Sequence, residues 1–396
     1  MSLTDTPNAN RLHIALFGRR NSGKSSLINA LTGQDIALVS NTPGTTTDLV
    51  SKAMEIQGIG PCLFIDTPGF DDEGALGELR ISRTLKAIEK TDIALLLCED
   101  TTLFHEKEIL ALLKEKNIPV IPVLNKIDIR ENSDHLATYI EEQCKISPLL
   151  ISAKEKIGIE LIRQAILEKL PSDFGQQNIT GKLVAENDLV LLVMPQDIQA
   201  PKGRLILPQV QTIRELLDKK CLVMTCTTDK FSATLQALAR PPKLIITDSQ
   251  VFKAIYEQKP KESELTSFSV LFAGYKGDIH YYVESAAVIE RLTESSRVLI
   301  AEACTHAPLS EDIGRVKLPR LLRKRIGENL QIDMVTGTDF PQDLTPYSLV
   351  IHCGACMFNR KYVLSRIERA REQHIPMTNY GVAIAFLNGI LDQIKY

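Results

Sequence analysis

The segment Gly18-Arg19-Arg20-Asn21-Ser22-Gly23-Lys24-Ser25-Ser26 carries glycine, lysine and hydroxyl groups at the spacing G-x-x-x-x-G-K-S/T. Glycines let a backbone bend until its N–H groups and a helix N-terminus surround phosphate oxygens. On this reading Gly18, Asn21, Ser22, Gly23, Lys24, Ser25 and Ser26 form a phosphate loop. Lys24 reaches the outer phosphates and the Ser25 hydroxyl ligates Mg2+. Farther on, Asp66-Thr67-Pro68-Gly69 offers a carboxylate for Mg2+ and a glycine N–H that senses a γ-phosphate. Asn125-Lys126-Ile127-Asp128 and Ser152-Ala153-Lys154 complete the series. The Asp128 carboxylate matches the two N–H donors on guanine's Watson–Crick edge, and adenine would leave it unpaired. The expected ligands are GTP and GDP with Mg2+.

A second constellation lies near the C-terminus: Cys304-Thr305-His306, then His352-Cys353-Gly354-Ala355-Cys356. A C-x-x-C turn aims two thiolates at one ion or cluster, Gly354 eases the tight backbone, and Cys304 adds a third sulfur. Three sulfurs suit an iron–sulfur cluster with one iron left for another ligand, or tetrahedral Zn2+ completed by a histidine. A redox C-x-x-C is a further reading, though such motifs normally open a helix and need no distant cysteine. His306 and His352 are candidate ligands, but a histidine beside a ligand often supports it from behind. Between the two clusters runs Arg315-Val316-Lys317-Leu318-Pro319-Arg320-Leu321-Leu322-Arg323-Lys324-Arg325. At helical spacing it reads as a solvated face over an apolar one, or as a cationic rim for an anionic cofactor.

These residues need strand ends to converge on, and the chain supplies them. His13–Phe17, Cys62–Ile65, Ile93–Cys98, Val120–Leu124 and Leu149–Ile151 read as strands, with a helix over Lys24–Leu31 stopping near Gly33. The nucleotide motifs all fall at strand C-termini, where doubly wound sheets bind ligands. A polar stretch, Ser172–Asn178, reads as a linker. Beyond it Leu189–Met194, Leu222–Thr225 and Leu244–Thr247 read as strands, with helices over Val210–Lys219 and Phe231–Leu238. This middle segment carries no catalytic constellation, and Lys202-Gly203-Arg204-Leu205 reads as a solvent-facing turn. From about Ser267 the rhythm resumes, with strands expected at Val270–Ala273, Val298–Ala303, Gln331–Val335 and Leu349–His352.

The composition fits that plan. The 396 residues are 44% hydrophobic and 24% charged, ordinary for a soluble globular protein and too long for a single core. A net charge of −3 builds in no global attraction to nucleic acid or anionic membrane. The polar N-terminus lacks a signal-peptide core and no apolar run reaches membrane-spanning length, so a cytoplasmic location without membrane association is expected. Eight cysteines are too few for a disulfide scaffold. Cys62, Cys98, Cys144, Cys221 and Cys226 read as packing; Cys304, Cys353 and Cys356 read as ligands. The fold class is α/β: a P-loop GTPase domain (1–171), then two smaller α/β domains (172–265 and 266–396), the last carrying the cluster cysteines.

The first domain resembles the Era/TrmE branch of translation-factor-type GTPases. Gly44-Thr45-Thr46-Thr47-Asp48 is similar to their switch segment G-T-T-R-D, with Thr47 in place of the arginine. The resemblance implies Thr46 as the switch threonine on Mg2+ and Asn21 as the residue holding K+ beside the phosphates. Lys24, Thr46, Gly69 and Asn21 would then carry catalysis. Phe70 follows Gly69, so the water-orienting glutamine of Ras-type enzymes is missing and slow intrinsic hydrolysis is expected.

The whole chain resembles the [FeFe]-hydrogenase maturation GTPase (HydF) family. The resemblance is carried by Cys304, His306, His352, Cys353 and Cys356, with Pro308 and Asp312-Ile313-Gly314-Arg315-Val316-Lys317 after the first pair. The commoner second motif has Gly-Gly between its cysteines, and here it is Gly354-Ala355. The resemblance implies a scaffold or carrier in which the middle domain dimerises and three cysteines hold a [4Fe-4S] cluster. It also implies a transient di-iron precursor made with radical-SAM maturases and delivered to the apo-[FeFe]-hydrogenase. Partners are then a second copy of the chain and other proteins, and nucleic acid is not expected. The rival is an Era/TrmE-like tRNA-modification or ribosome-assembly GTPase with a structural zinc domain; no G-x-x-G segment or aromatic-rich strand supports RNA binding.

Overall fold

The computed structural model describes residues 6–33, 50–69, 83–171, 174–175, 177–196, 205–303 and 312–396. The chain divides into two compact units, Met1–Gln176 and Gln177–Tyr396.

In the first unit, strands β1 (Leu12–Phe17), β2 (Val50–Ile56), β3 (Gly60–Asp66), β4 (Ile93–Cys98), β5 (Val120–Leu124) and β6 (Leu149–Leu150) form one sheet. Its order is β2-β3-β1-β4-β5-β6. All pairs are parallel except β2 with β3. Every residue of β1, β4 and β5 is buried, as expected where helices cover both faces of a parallel sheet. Alternate residues serve opposite faces. Leu12, Ile14 and Leu16 pack with Leu27, Ile28 and Leu31 of α1 (Lys24–Thr32) and with Ile159, Ile162 and Ile166 of α4 (Ile159–Glu168). Ala15 and Phe17 pack on the other side with Ile109, Leu110 and Leu113 of α2 (Phe104–Glu115) and Ile140 of α3 (Ser133–Cys144). Cys62, Cys98 and Cys144 are buried within these two cores.

The second unit holds two four-stranded sheets whose pairs are all parallel. The first has β7 (Leu189–Val193), β8 (Leu222–Cys226), β9 (Leu244–Thr247) and β10 (Glu264–Ser267) in the order β10-β9-β7-β8. The second has β11 (Arg297–Glu302), β12 (Gln331–Thr336), β13 (Leu349–His352) and β14 (Met377–Asn379) in the order β12-β11-β13-β14. One hydrophobic core joins them, drawing Leu191, Ile245 and Leu265 from the first sheet and Leu299, Ala301 and Val350 from the second. Helices α5 (Leu207–Asp218), α6 (Phe231–Ala237), α7 (Phe252–Gln258) and α8 (Phe268–Lys276) belong to the first half. Helices α9 (Ile279–Ala286), α10 (Leu318–Ile326), α11 (Arg360–Glu372) and α12 (Tyr380–Leu387) belong to the second.

The strand expected at Val270–Ala273 is instead the middle of helix α8. Its N-cap is Ser267, whose hydroxyl accepts from the Val270 amide at 3.2 Å. The run Phe268, Val270, Leu271, Phe272, Ala273 is buried on all sides, so periodicity could not separate a helix from a buried strand. Position 266 lies within β10, and the segments on either side of it share the core just described. Lys202, Gly203 and Arg204 fall outside the described residues.

Candidate functional site

Between β1 and α1 the chain turns through Gly23, whose φ is +91°. A Cβ there would come within 2.2 Å of the Asn125 side-chain nitrogen, so only glycine fits. Gly23→Ala is expected to destabilise the first unit by about 1–3 kcal/mol and to weaken GTP binding. Urea unfolding and nucleotide titration of the variant check this, and unchanged values for both would contradict it.

The groups expected to bind nucleotide lie at the start of α1 and the end of β3. Lys24 is buried, and its Nζ donates to the carbonyls of Gly18 at 2.8 Å and Arg19 at 2.7 Å. Ser25 Oγ donates to Asp66 Oδ2 at 2.6 Å, which sets the two expected Mg2+ ligands side by side at the ends of α1 and β3. Burial pushes the Asp66 carboxyl up, and the Ser25 hydrogen bond and the Lys24 charge pull it back. A divalent cation suits this donor set: an anionic oxygen and a hydroxyl, both half-buried. Gly69 follows in the same loop, and Ser26 lies exposed on α1.

Asn125 knits the guanine side together. Its Oδ1 accepts from the amides of Lys126 (2.8 Å) and Ala153 (3.0 Å), and its Nδ2 donates to the Ser22 carbonyl at 3.0 Å. Lys126 donates to the Asn21 carbonyl at 2.6 Å and to Glu99 at 3.0 Å. Asp128 is solvent-facing, and hydrogen bonding by the Ser152 hydroxyl, helped by the Lys154 charge, holds its carboxyl below the usual range. Ser152 is itself oriented, since its Oγ accepts from the Glu155 amide at 3.1 Å. The phosphate-loop and guanine motifs thus meet at one end of the sheet. Thr46, the segment Gly44–Asp48 and Phe70 lie outside the described residues.

Sequence reasoning missed a further support. Arg19 of the phosphate loop pairs with Asp100 at 3.0 Å and with the fully buried Glu106 at 3.0 Å. Arg19 occupies a variable position of the motif, so nothing in its spacing announces that role.

In the second unit, the ends of β11 and β13 converge. Ala301 lies opposite His352, and the Cys353 amide donates to the Ala301 carbonyl at 2.9 Å. The Cys353 sulfur accepts from the amides of Ala303 (3.0 Å) and Ala355 (3.4 Å). Burial pushes the Cys353 thiol up to about 11, with the Ala303 amide opposing. Such N–H donors favour the thiolate, and a coordinated metal would deprotonate the sulfur outright. Ala355, between the cysteines, has φ +50°, the conformation that the commoner glycine adopts freely. Cys304 and His306 lie outside the described residues, although Ala303, the residue before Cys304, touches the Cys353 sulfur. Among the described residues no three metal-binding side chains gather at one point.

His352 is fully buried with both ring nitrogens engaged. Arg366 can only donate, so the contact from its Nη1 at 2.8 Å makes His352 Nε2 the acceptor. Nδ1 then carries the proton and donates to the Cys353 carbonyl at 2.8 Å. Burial, reinforced by the Arg366 charge, pushes His352 down to about 3, so the ring is neutral. In this arrangement it braces the cysteine loop and has no free nitrogen for a metal. Arg366, only 1% exposed, is caged by the rings of Phe340, Phe358 and Tyr362 at 4.6–4.7 Å and donates to the Gly337 carbonyl at 2.7 Å.

Cys353 and Cys356 open onto a cavity of about 190 Å³ whose other walls include Ser249, Ser269, Glu302 and Asp312. Burial pushes the Glu302 carboxyl up, while Arg315 (3.4 Å) and the Tyr380 hydroxyl (3.3 Å) contact it. Asp312 accepts from the amides of Gly314 (2.8 Å) and Arg315 (2.9 Å) at the start of the turn leading into α10. The basic segment divides accordingly. Arg315 turns to Glu302, while Arg320, Lys324 and Arg325 form a solvated face over buried Leu318 and Leu322. No helix among the described residues is long and apolar enough to cross a membrane.

A P-loop GTPase domain followed by two further α/β domains is the class these features define. Residues 13–126 match the family described as 50S ribosome-binding GTPase. Residues 179–277 match the hydrogen maturase F dimerization domain and residues 280–395 its tetramerization domain. The chain belongs to the hydrogen maturase F family. Curated relatives include the tRNA modification GTPase MnmE of Dechloromonas aromatica (strain RCB), 40% identical over 161 residues, covering 39% of this chain and 34% of that protein. The MnmE of Nitrosomonas europaea is 37% identical over 174 residues, covering 43% and 37%. The chain thus spans about a third of the length of these relatives, 34% and 37%. Among solved structures, the G domain of the T. maritima FeoB iron transporter is 26% identical with a TM-score of 0.33, covering 40% of this chain and 98% of that one.

Proposed function

We propose that this GTPase acts in hydrogenase maturation as a scaffold that holds a [4Fe-4S] cluster on Cys304, Cys353 and Cys356 and carries a di-iron precursor to the apo-[FeFe]-hydrogenase. The observation that carries the reading is the cysteine loop after β13, its Cys353 sulfur beside the end of β11, in a chain with both hydrogen maturase F domains. Bound there, such a cluster supplies an iron with an exchangeable coordination position. The chain's own residues bind and orient: His352 and the Ala303 amide fix Cys353, and the cavity beside the two cysteines leaves room for cargo. Ser25, Thr46 and Asp66 hold Mg2+, and GTP hydrolysis gates partner exchange with the hydrogenase and the radical-SAM maturases.

The test is transfer. Protein purified anaerobically from cells making the radical-SAM maturases is incubated with apo-[FeFe]-hydrogenase, and hydrogen evolution is followed. Wild-type protein should activate the hydrogenase and Cys356→Ser should not. Equal activation by both would contradict the assignment.

K+ held by Asn21 would add positive charge where other GTPases use an arginine. Hydrolysis several-fold faster in potassium chloride than in sodium chloride is the expected sign, and equal rates would remove K+ from the account.

The homodimer is proposed to form through β8. Among the described residues this strand pairs with β7 alone and presents its other edge. Leu222 and Met224 on it are 50% and 40% exposed, an arrangement that sheets otherwise avoid. The double variant Leu222→Lys, Met224→Lys should elute as a smaller species while still binding GTP. An unchanged elution position would place the interface elsewhere.

A further inference from the structure

Lys276 closes helix α8, inside the segment that matches the dimerization domain. It is only 2% exposed. Its Nζ donates to three carbonyls of the cysteine loop: Ala355 at 3.2 Å, Cys356 at 3.3 Å and Phe358 at 2.6 Å. The grip is reciprocal, because Arg360, which opens α11, donates to the carbonyls of Tyr275 at 3.0 Å and Gly277 at 3.1 Å. Among the described residues no carboxylate pairs with Lys276.

A buried ammonium whose hydrogen bonds all end on neutral carbonyls is costly unless an anion lies nearby. Arg366, caged by aromatic rings and bonded to His352, is a second buried cation that supports the loop. A cluster bound by three thiolates is such an anion, more so after reduction, and its potential responds to nearby charge and hydrogen bonding.

We propose that Lys276 is the positioning residue and charge partner of the cluster: it fixes the 355–358 backbone and its ammonium offsets the negative charge carried on Cys353 and Cys356, favouring the reduced form. The inference rests on the cluster reading above and assigns part of the cluster site to the dimerization segment. The cysteine loop is therefore completed by a residue some eighty positions earlier in sequence, as the 80-residue separation of Lys276 from Cys356 records.

The test uses the full chain, reconstituted anaerobically with iron and sulfide and titrated with dithionite in the presence of redox dyes, the reduced cluster being read by electron paramagnetic resonance. Lys276→Met removes charge and donor, Lys276→Gln removes charge alone, and Lys276→Arg keeps both. The neutral variants should lower the reduced-to-oxidised ratio at a fixed potential about tenfold, a negative shift of about 59 mV for a one-electron couple. Lys276→Arg should stay near wild type. Loss of the cluster in both neutral variants with retention in Lys276→Arg would also uphold the inference. Neutral variants with wild-type potential, or loss of the cluster in all three, would overturn it. Wild-type protein that binds no iron or sulfide would instead refute the cluster reading itself, so the two failures are distinguishable.

Discussion

Replacing Asp128 by asparagine should weaken GTP binding by about 10³-fold or more, because a site built to hydrogen-bond its ligand penalises a mismatch heavily. Asp128 sits in the turn after β5, where Asn125 fixes the backbone from both sides and Ser152 holds the carboxyl oriented and ionised. As a carboxylate it would accept two hydrogen bonds from guanine. An asparagine keeps one acceptor and turns the other into a donor that faces guanine's amino group. Xanthine replaces that amino group with a carbonyl, so the variant should bind xanthosine triphosphate better than GTP. Calorimetric titration with both nucleotides checks this. Unchanged GTP affinity would mean that the base is read elsewhere.

Cys353→Ser should abolish cluster binding while leaving GTP affinity within about twofold, since every nucleotide-binding group argued above belongs to the first unit. Serine keeps the shape but offers a hydroxyl, which is a poor iron ligand beside a thiolate. The Ala303 and Ala355 amides now aimed at sulfur would face a smaller oxygen. Iron and sulfide analysis beside nucleotide titration measures both effects. Loss of both activities would mean that the substitution unfolds the chain or that the sites have been misassigned.

The residues expected to bind nucleotide stand out in the sequence because they fall in contiguous motifs at strand ends. Asn125 meets Ser22, Lys126 meets Asn21, and Ala153 in turn meets Asn125. Strand β2 escaped notice because Val50–Ile56 carries lysine and glutamate among its apolar residues, and among the described residues it pairs on one side only. Helix α8 was misread as a strand for the opposite reason, its uninterrupted burial.

The proposed cluster site is half legible in the sequence. Cys353 and Cys356 announce themselves by spacing, but their supports do not. Lys276 ends an apolar helix, and Arg366 lies among the charges of Arg360–Glu372, where a solvated face is the natural reading. Only the fold brings them to the loop. His352 illustrates the same limit: its neighbours in sequence suggest a ligand, while its hydrogen bonds to Arg366 and Cys353 make it a brace.

The central claim is that the cysteines after β11 and β13 hold an iron–sulfur cluster in a GTPase. Its most direct measurement is anaerobic purification of the full chain followed by iron, acid-labile sulfide and zinc analysis. About four irons and four sulfides per chain are expected, with no stoichiometric zinc. Zinc at about one per chain without sulfide would contradict it and restore the structural zinc domain.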